Sequence, residues 1–476
     1  MRVEYAVAWL LPLFAGAAWV WLATGRSRFR GSAAAAAGGG WVAGVFIAAA
    51  IAAWRAGTEV PHAFAAAAPW LAGSGALAWV VAALLHVRSR HAAAPAGMVR
   101  PRALPLARLC WWLLLALIVA RLLVIGDEAA LRPVFPWDAW SAWEVKAKAW
   151  MLLGRADAYV PMIDWLASPD ASTRTMMAWN YPELLAWIEV WFASAAGGWN
   201  EPLVDLAWCG ALAAFGLAAY GYWRGLGLKP VVAIGLVYAL VSLPLIDAHV
   251  ALAGYADLWI AVTLGLATLA WSRWLIHRER GQWLAGVAFA LCLPAIKLEG
   301  AIWALLFSAV VVLDLVPPRW RWRLAVAVAA LAVAGVLLGG FALPMLGLGW
   351  VHVAWGSVAI PGFRVFHLSW HPVAGALLAS FFTLPNWHLF WYALAVVVAL
   401  CWRVLLRERA ARLLGLLVLL QLSFLFTLFF FTGAAAWAED FTSANRLLLQ
   451  IVPAAFAFVA VLLRGIPACM EDTATA

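Results

Sequence analysis

Charge is what this chain has least of. Asp, Glu, Lys and Arg make up 12% of its 476 residues, about half of the ~25% found in an ordinary soluble domain. So little charge cannot cover a water-facing surface, and a soluble globular fold is excluded. Cysteine is scarce as well. Cys110, Cys209, Cys292, Cys401 and Cys469 stand singly and form no C-x-x-C pair, so neither a disulfide framework nor a thiolate metal site is indicated. The histidines of the late polar stretch, His352, His367, His371 and His388, fit no metal motif on one helix. No internal repeat is visible, and no polar stretch is long enough for a second, soluble domain. The net charge of +9 would point to nucleic acid if it were gathered in one face. Instead the positive residues sit in short loops between apolar runs, so nucleic acid is excluded as a partner and membrane topology accounts for them.

What the chain does have is apolar length. Hydrophobic residues make up 67% of it, in recurring runs near the ~20 residues that a bilayer crossing requires. The expected fold class is an all-α polytopic membrane protein with about 13 transmembrane helices. They lie near residues 5–23, 41–54, 70–87, 109–126, 202–223, 231–246, 256–276, 283–296, 300–316, 324–343, 388–403, 413–432 and 447–463. A shorter apolar segment, 182–196, carries Glu183 and Glu189 and is placed at the membrane interface. The first run is read as a retained span, because its basic cluster, Arg26, Arg28 and Arg30, follows it where a signal peptide has one in front. Under the positive-inside rule this map sets the N-terminus outside and the C-terminus in the cytoplasm of an inner or plasma membrane. The cytoplasmic loops, among them the one holding Arg88, Arg90, Arg100, Arg102 and Arg108, then carry 21 of the 32 Lys and Arg residues.

The chain divides into three N-terminal accessory helices (1–108), a main transmembrane module (109–464) and a short cytoplasmic tail (465–476). The main module holds a first large outward loop (127–201) and a late one (344–387). Of the 23 Asp and Glu residues, 18 fall on the outward face. Carboxylates hardly influence topology, so this bias points to an active or binding surface there. Five places on that face concentrate unusual chemistry: Asp138 with Glu144, Asn180-Tyr181-Pro182-Glu183, Gly254-Tyr255-Ala256-Asp257, Lys297-Leu298-Glu299, and Glu439-Asp440 followed by Asn445-Arg446.

Each has a plain structural reading beside a functional one. Asp138 starts a helix-compatible run in which Trp137, Trp140 and Trp143 recur at helical spacing. It reads either as a helix cap with a tryptophan anchor or as a general base that takes a proton from an acceptor hydroxyl. Asp257 reads as a cap, or as a second acidic group that orients the acceptor or holds a divalent cation, for which oxygen ligands favour Mg²⁺, Mn²⁺ or Ca²⁺. Glu183 has the same two readings, and metal dependence stays open. Lys297 and Glu299 interrupt apolar helices, where charge is expensive unless it has a task. Arg446 opens an apolar span and is suited to hold a phosphate through paired hydrogen bonds.

In order and in common sidedness these features resemble the membrane-embedded GT-C glycosyltransferases, the class that includes protein O-mannosyltransferases and lipid A aminoarabinose transferases. The resemblance runs from about Leu109 to Leu463. It rests on Trp137-Asp138 through Lys148, Asn180-Tyr181-Pro182-Glu183-Leu184, Gly254-Tyr255-Ala256-Asp257, Lys297-Leu298-Glu299-Gly300 and Asn445-Arg446. It implies a sugar donor linked to polyprenyl phosphate and a glycan, lipid or protein acceptor, with membrane lipids around the enzyme. It also implies Asp138 as base with Glu144 beside it, Glu183 and Asp257 as secondary acidic positions, and Lys297, Arg446, Lys146 and Lys148 near the donor phosphate. The chain departs from the family in having Ala139 after Asp138, where a second acidic residue is common. A polytopic transporter or lipid flippase is the rival from another class, and a polysaccharide ligase centred on the late loop is the rival enzyme.

Overall fold

The computed structural model describes residues 2–24, 29–57, 59–89, 105–167, 170–345 and 349–474, without the side chains of 86–89 and 467–474. Arg26, Arg28, Arg90, Arg100 and Arg102 therefore lie outside the described residues, as do the side chains of Arg88 and Cys469.

Four long apolar helices come first: α1 (Val3–Ala23), α2 (Ser32–Ala56), α3 (Ala63–Ser89) and α4 (Pro105–Leu131). A π-helical turn, Ala139–Trp143, leads into α5 (Glu144–Leu153). Next come α6 (Met162–Ala167) and a short parallel pairing of β1 (Ala158–Tyr159) with β2 (Thr173–Arg174). After the short apolar α7 (Leu184–Ala196) and the long α8 (Glu201–Gly225), α9 (Pro230–Val241) and α10 (Pro244–Ala251) meet at a 60° bend. The bend has a local cause. Pro244 brings no N–H to the ladder and holds Leu243 in an extended conformation. Then follow α11 (Asp257–His277), α12 (Arg280–Ile296), α13 (Gly300–Leu315) and α14 (Pro318–Leu337).

The late polar stretch is a four-stranded antiparallel meander, β3 (Phe341–Met345), β4 (Gly349–Ala354), β5 (Ser357–Ile360) and β6 (Arg364–His367), paired in that order. The chain closes with α15 (Ala374–Leu378), α16 (Phe390–Leu400), α17 (Trp402–Arg407), α18 (Arg409–Phe431), α19 (Ala435–Glu439) and α20 (Ser443–Ala474). Among the described residues nine helices are long and apolar enough to cross a bilayer, or ten spans if the bent pair counts as one. This is the pattern of an all-α polytopic membrane protein.

The sequence pattern runs a crossing to residue 343 and a loop from 344, whereas the helix stops at Leu337. Gly339 and Gly340 follow at φ 108° and 107°, in a region open to glycine and rarely to other residues. They turn the chain into β3. The sheet sits at a defined end of the bundle. Val351 packs on Leu298 and Ala301, and Asn180 Nδ2 donates to Gly362 O at 2.8 Å.

Two helices form the axis of the bundle. The hydrophobic windows of α11 and of α20 are both 89% buried inside the protein, whereas that of α14 is 0% buried and faces outward along its whole length. The three N-terminal helices share one continuous core with the rest, through α2 against α8 and α7, and α3 against α7. α1 and α2 touch backbone to backbone. A Cβ on Gly44 would lie 1.9 Å from the Pro12 carbonyl oxygen, and one on Gly16 1.8 Å from that of Gly40. Small residues permit this approach where no hydrophobic force drives helices together. Gly44→Val should therefore destabilise the bundle by about 1–3 kcal/mol, read as a lower melting temperature in detergent. An unchanged melting temperature would contradict the close packing.

Candidate functional site

The site is built on Asp257, the first residue of α11, which is fully buried. A buried carboxylate needs donors for its lone pairs, and here they come from two other segments. Arg446 donates from Nε at 2.9 Å and from Nη2 at 2.7 Å to Oδ2. Lys297 Nζ donates to Oδ1 at 3.1 Å and Gln450 Nε2 to the same oxygen at 2.5 Å. Arg446 and Gln450 stand one turn apart on α20, while Lys297 sits in the turn between α12 and α13.

Arg446 also reaches Asp138, whose carboxylate accepts from its Nη2. The Asp138 side chain forms no cap bond, although it stands at the head of the π-helical turn. It is 24% exposed, against none for Asp257. One guanidinium thus joins a hidden carboxylate to one open to the outside. Its face lies over the Tyr255 ring at 4.5 Å, and the Tyr255 carbonyl is fixed by Trp208 Nε1 at 2.8 Å. Lys297 pairs in addition with Glu299 at 3.2 Å and lies over Trp143 at 5.9 Å. Burial alone would lower the Lys297 ammonium, but Asp257 and Glu299 outweigh it and hold the group above its ordinary value. Tyr181 lines the same network, and burial pushes its hydroxyl up.

Four expected site residues, Asp138, Asp257, Lys297 and Arg446, meet here. Glu144, Lys146 and Lys148 turn elsewhere. Lys146 is fully buried and donates to the carbonyls of Trp179 at 3.1 Å and Tyr181 at 2.9 Å, so it holds the Asn180-Tyr181 turn. Burial lowers it to about 8. The charge of the exposed Glu183 opposes that lowering. Lys148 pairs with Glu201 at 2.5 Å.

Glu144 joins a second group with Glu189 on α7 and Asp205 on α8. All three are buried. Among the described residues neither oxygen of Glu189, nor Oε2 of Glu144, has a hydrogen-bond partner. This group backs onto the site, because Glu144 Oε2 lies 3.6 Å from where a Cβ on Gly254 would stand, three residues before Asp257.

A divalent cation at Asp138 and Asp257 does not fit this donor set. Both carboxylates already face the protein's own Arg446, and Asp257 faces Lys297 too. Among the described residues no group of three or more His, Cys, Asp or Glu is arranged to hold a metal ion. Two site members escaped the sequence reading. Gln450 carries a signal in hindsight, as an amide four residues after Arg446 inside an apolar span. His249 is buried, packs at 5.0 Å against Tyr255 and leaves Nε2 without a partner; it looked like any other histidine. Compared with protein-family models, curated proteins and solved structures, the chain has no match in any of the three.

The second group makes stability depend on pH. Burial first, then the charges of Asp205 and Glu201, raise Glu144 from 4.5 to about 9. Between those values the folded chain holds a proton that the unfolded chain has released, so Glu144 makes stability fall as pH rises through that window. Glu144→Gln removes the penalty and should stabilise the protein by about 1–3 kcal/mol at the alkaline end and little at the acid end. Melting temperatures of both forms across the window test this, and parallel curves would refute it.

Proposed function

We propose that this chain is an integral-membrane glycosyltransferase that moves a sugar from a polyprenyl-phosphate donor to an acceptor on the extracytoplasmic face. The observation that carries the reading is the single guanidinium of Arg446, joined to the buried Asp257 and the open Asp138. A phosphate-holding cation and a candidate base thereby stand side by side. In the proposed reaction the acceptor hydroxyl attacks the anomeric carbon and the bond from that carbon to the phosphate oxygen breaks. Asp138 takes the hydroxyl proton, and polyprenyl phosphate leaves with the bonding electron pair. Arg446 and Lys297 stabilise the charge that develops on it. One displacement inverts the anomeric configuration. Asp257 holds the two cations in place, while Lys146 and Lys148 serve the surrounding loop.

The same reading takes the chain through the membrane thirteen times. The nine long helices, the bent pair counted once, and α12, α13 and α16 make up that number. The N-terminus then lies outside, the C-terminus lies in the cytoplasm, and α7 lies at the interface.

One observation favours a second reading, a proton-coupled transporter. Buried, unpartnered carboxylates such as Glu189 are a feature of proton pathways in membranes. Mass spectrometry of envelope glycans and lipids separates the two. Cells with the wild-type chain should carry a species heavier by one sugar residue. Cells with Asp138→Asn at equal protein level should make it at least about 100-fold more slowly. Persistence of the species in Asp138→Asn removes Asp138 as base. Absence of any such species, with solute flux in vesicles, favours the transporter.

A further inference from the structure

At the end of the bundle away from Asp257 lies a second charged cluster of opposite balance. α11 runs from Asp257 to His277, about 30 Å at the helical rise, and the chain reaches Arg278 just beyond. α13 starts beside Lys297–Glu299 and reaches Asp314 at its far end. α18 starts at Arg409 and ends at Phe431, a short distance in sequence from Arg446. Three helices thus agree that Asp314, Arg278 and Arg409 sit across the membrane from the candidate site.

Asp314 is buried and already fully engaged. It accepts from Trp274 Nε1 at 2.9 Å and Arg278 Nη1 at 3.0 Å, and pairs with Arg409 Nη2 at 2.5 Å. Arg321 adds like charge beside Arg409, and its own Nε reaches only the Val316 carbonyl, at 3.0 Å. Arg278 and Arg409 flank one carboxylate with Arg321 beside them, and among the described residues two of the three positive charges go unanswered. The nearby acids are committed elsewhere: Glu279 to Arg273 at 2.5 Å and Glu408 to Arg464 at 3.2 Å. Arg409 Nε is buried with no partner among the described residues, while the Arg278 and Arg409 side chains stay 39% and 38% exposed. The cluster is therefore open to an anion and short of one.

We propose that Arg278, Arg321 and Arg409 bind the phosphodiester of an anionic phospholipid in the leaflet opposite the candidate site. Guanidinium forks match phosphate oxygens, and charge complementarity selects an anion. The surroundings select a lipid over a free phosphate. α14, which carries Arg321, buries none of its hydrophobic window in the protein and so borders lipid directly. Trp320 and Trp322, next to Arg321, are 48% and 63% exposed and suit the headgroup boundary. Arg323 stacks on both rings, at 4.8 and 5.6 Å.

The purified full chain tests this in detergent by native mass spectrometry, with phosphatidylglycerol and phosphatidylcholine of identical acyl chains. Phosphatidylglycerol should be retained about fivefold or more over phosphatidylcholine and should raise the melting temperature further. Arg321→Gln should cut that preference about fivefold, with an unaltered melting temperature in phosphatidylcholine alone. Should Arg321→Gln fail to fold, Arg278→Gln, at a side chain that is 39% exposed, reads the same preference. Equal retention of the two lipids, or an unreduced preference in the glutamine variants, overturns the proposal. Inorganic phosphate stabilising as well as phosphatidylglycerol overturns its lipid source.

Discussion

A carboxylate hidden at the head of one of the two most buried long helices sets the terms for this structure. Asp257 is cut off from water, and an unanswered charge there costs several kcal/mol. Four hydrogen bonds from Arg446, Lys297 and Gln450 answer it. Those donors come from segments that are remote in sequence, and each must arrive with helix ends in register. The turn between α12 and α13 is pinned by Lys297, and the start of α20 by Arg446. The π-helical turn after Pro136 is drawn in through Asp138. The site is in this sense the by-product of satisfying one group.

The same helix carries charge at both ends and almost none between. α11 begins at Asp257 and ends beside Arg278, about 30 Å away, which is the thickness of a hydrocarbon core. At one end a buried acid gathers cations, and at the other the buried Asp314 gathers arginines in excess of its own charge. The two ends differ in what remains unmatched. Near Asp257 three carboxylates, Asp138, Asp257 and Glu299, face two cations, Lys297 and Arg446, so the excess is acidic. Near Asp314 it is basic.

The residues of the first cluster were legible because charge inside an apolar chain is costly and therefore conspicuous. Asp257, Lys297 and Arg446 each interrupt or open an apolar run, and Asp138 follows one. Glu144, Lys146 and Lys148 were misleading for the same reason. Their charge marked them as important, but sequence proximity to Asp138 does not say which face of a helix looks at which neighbour. The packing of α5 against α7 turns Lys146 to backbone carbonyls and Glu144 to other acids. The long apolar helices were legible from length and apolarity, except where Gly339 and Gly340 break the pattern before Leu343. The meander beyond was hidden because its strands are four to six residues long and lie among glycines and histidines that read as loop.

Asp257 and Glu189 complete the physical argument by contrast. Both are buried carboxylates in one core, and neither has access to water. Asp257 has donors on both oxygens, whereas Glu189 has none on either among the described residues, with Glu144 and Asp205 as its acidic neighbours. Burial, then those neighbours, drive Glu189 well above the carboxylate range, so it takes up a proton rather than a partner. Glu144 Oε2 lies 3.6 Å from where a Cβ on Gly254 would stand, beside the turn that leads into Asp257, so the neutral group lies behind the charged one. A neutral group there adds no anion that would compete with Asp257 for Arg446 and Lys297.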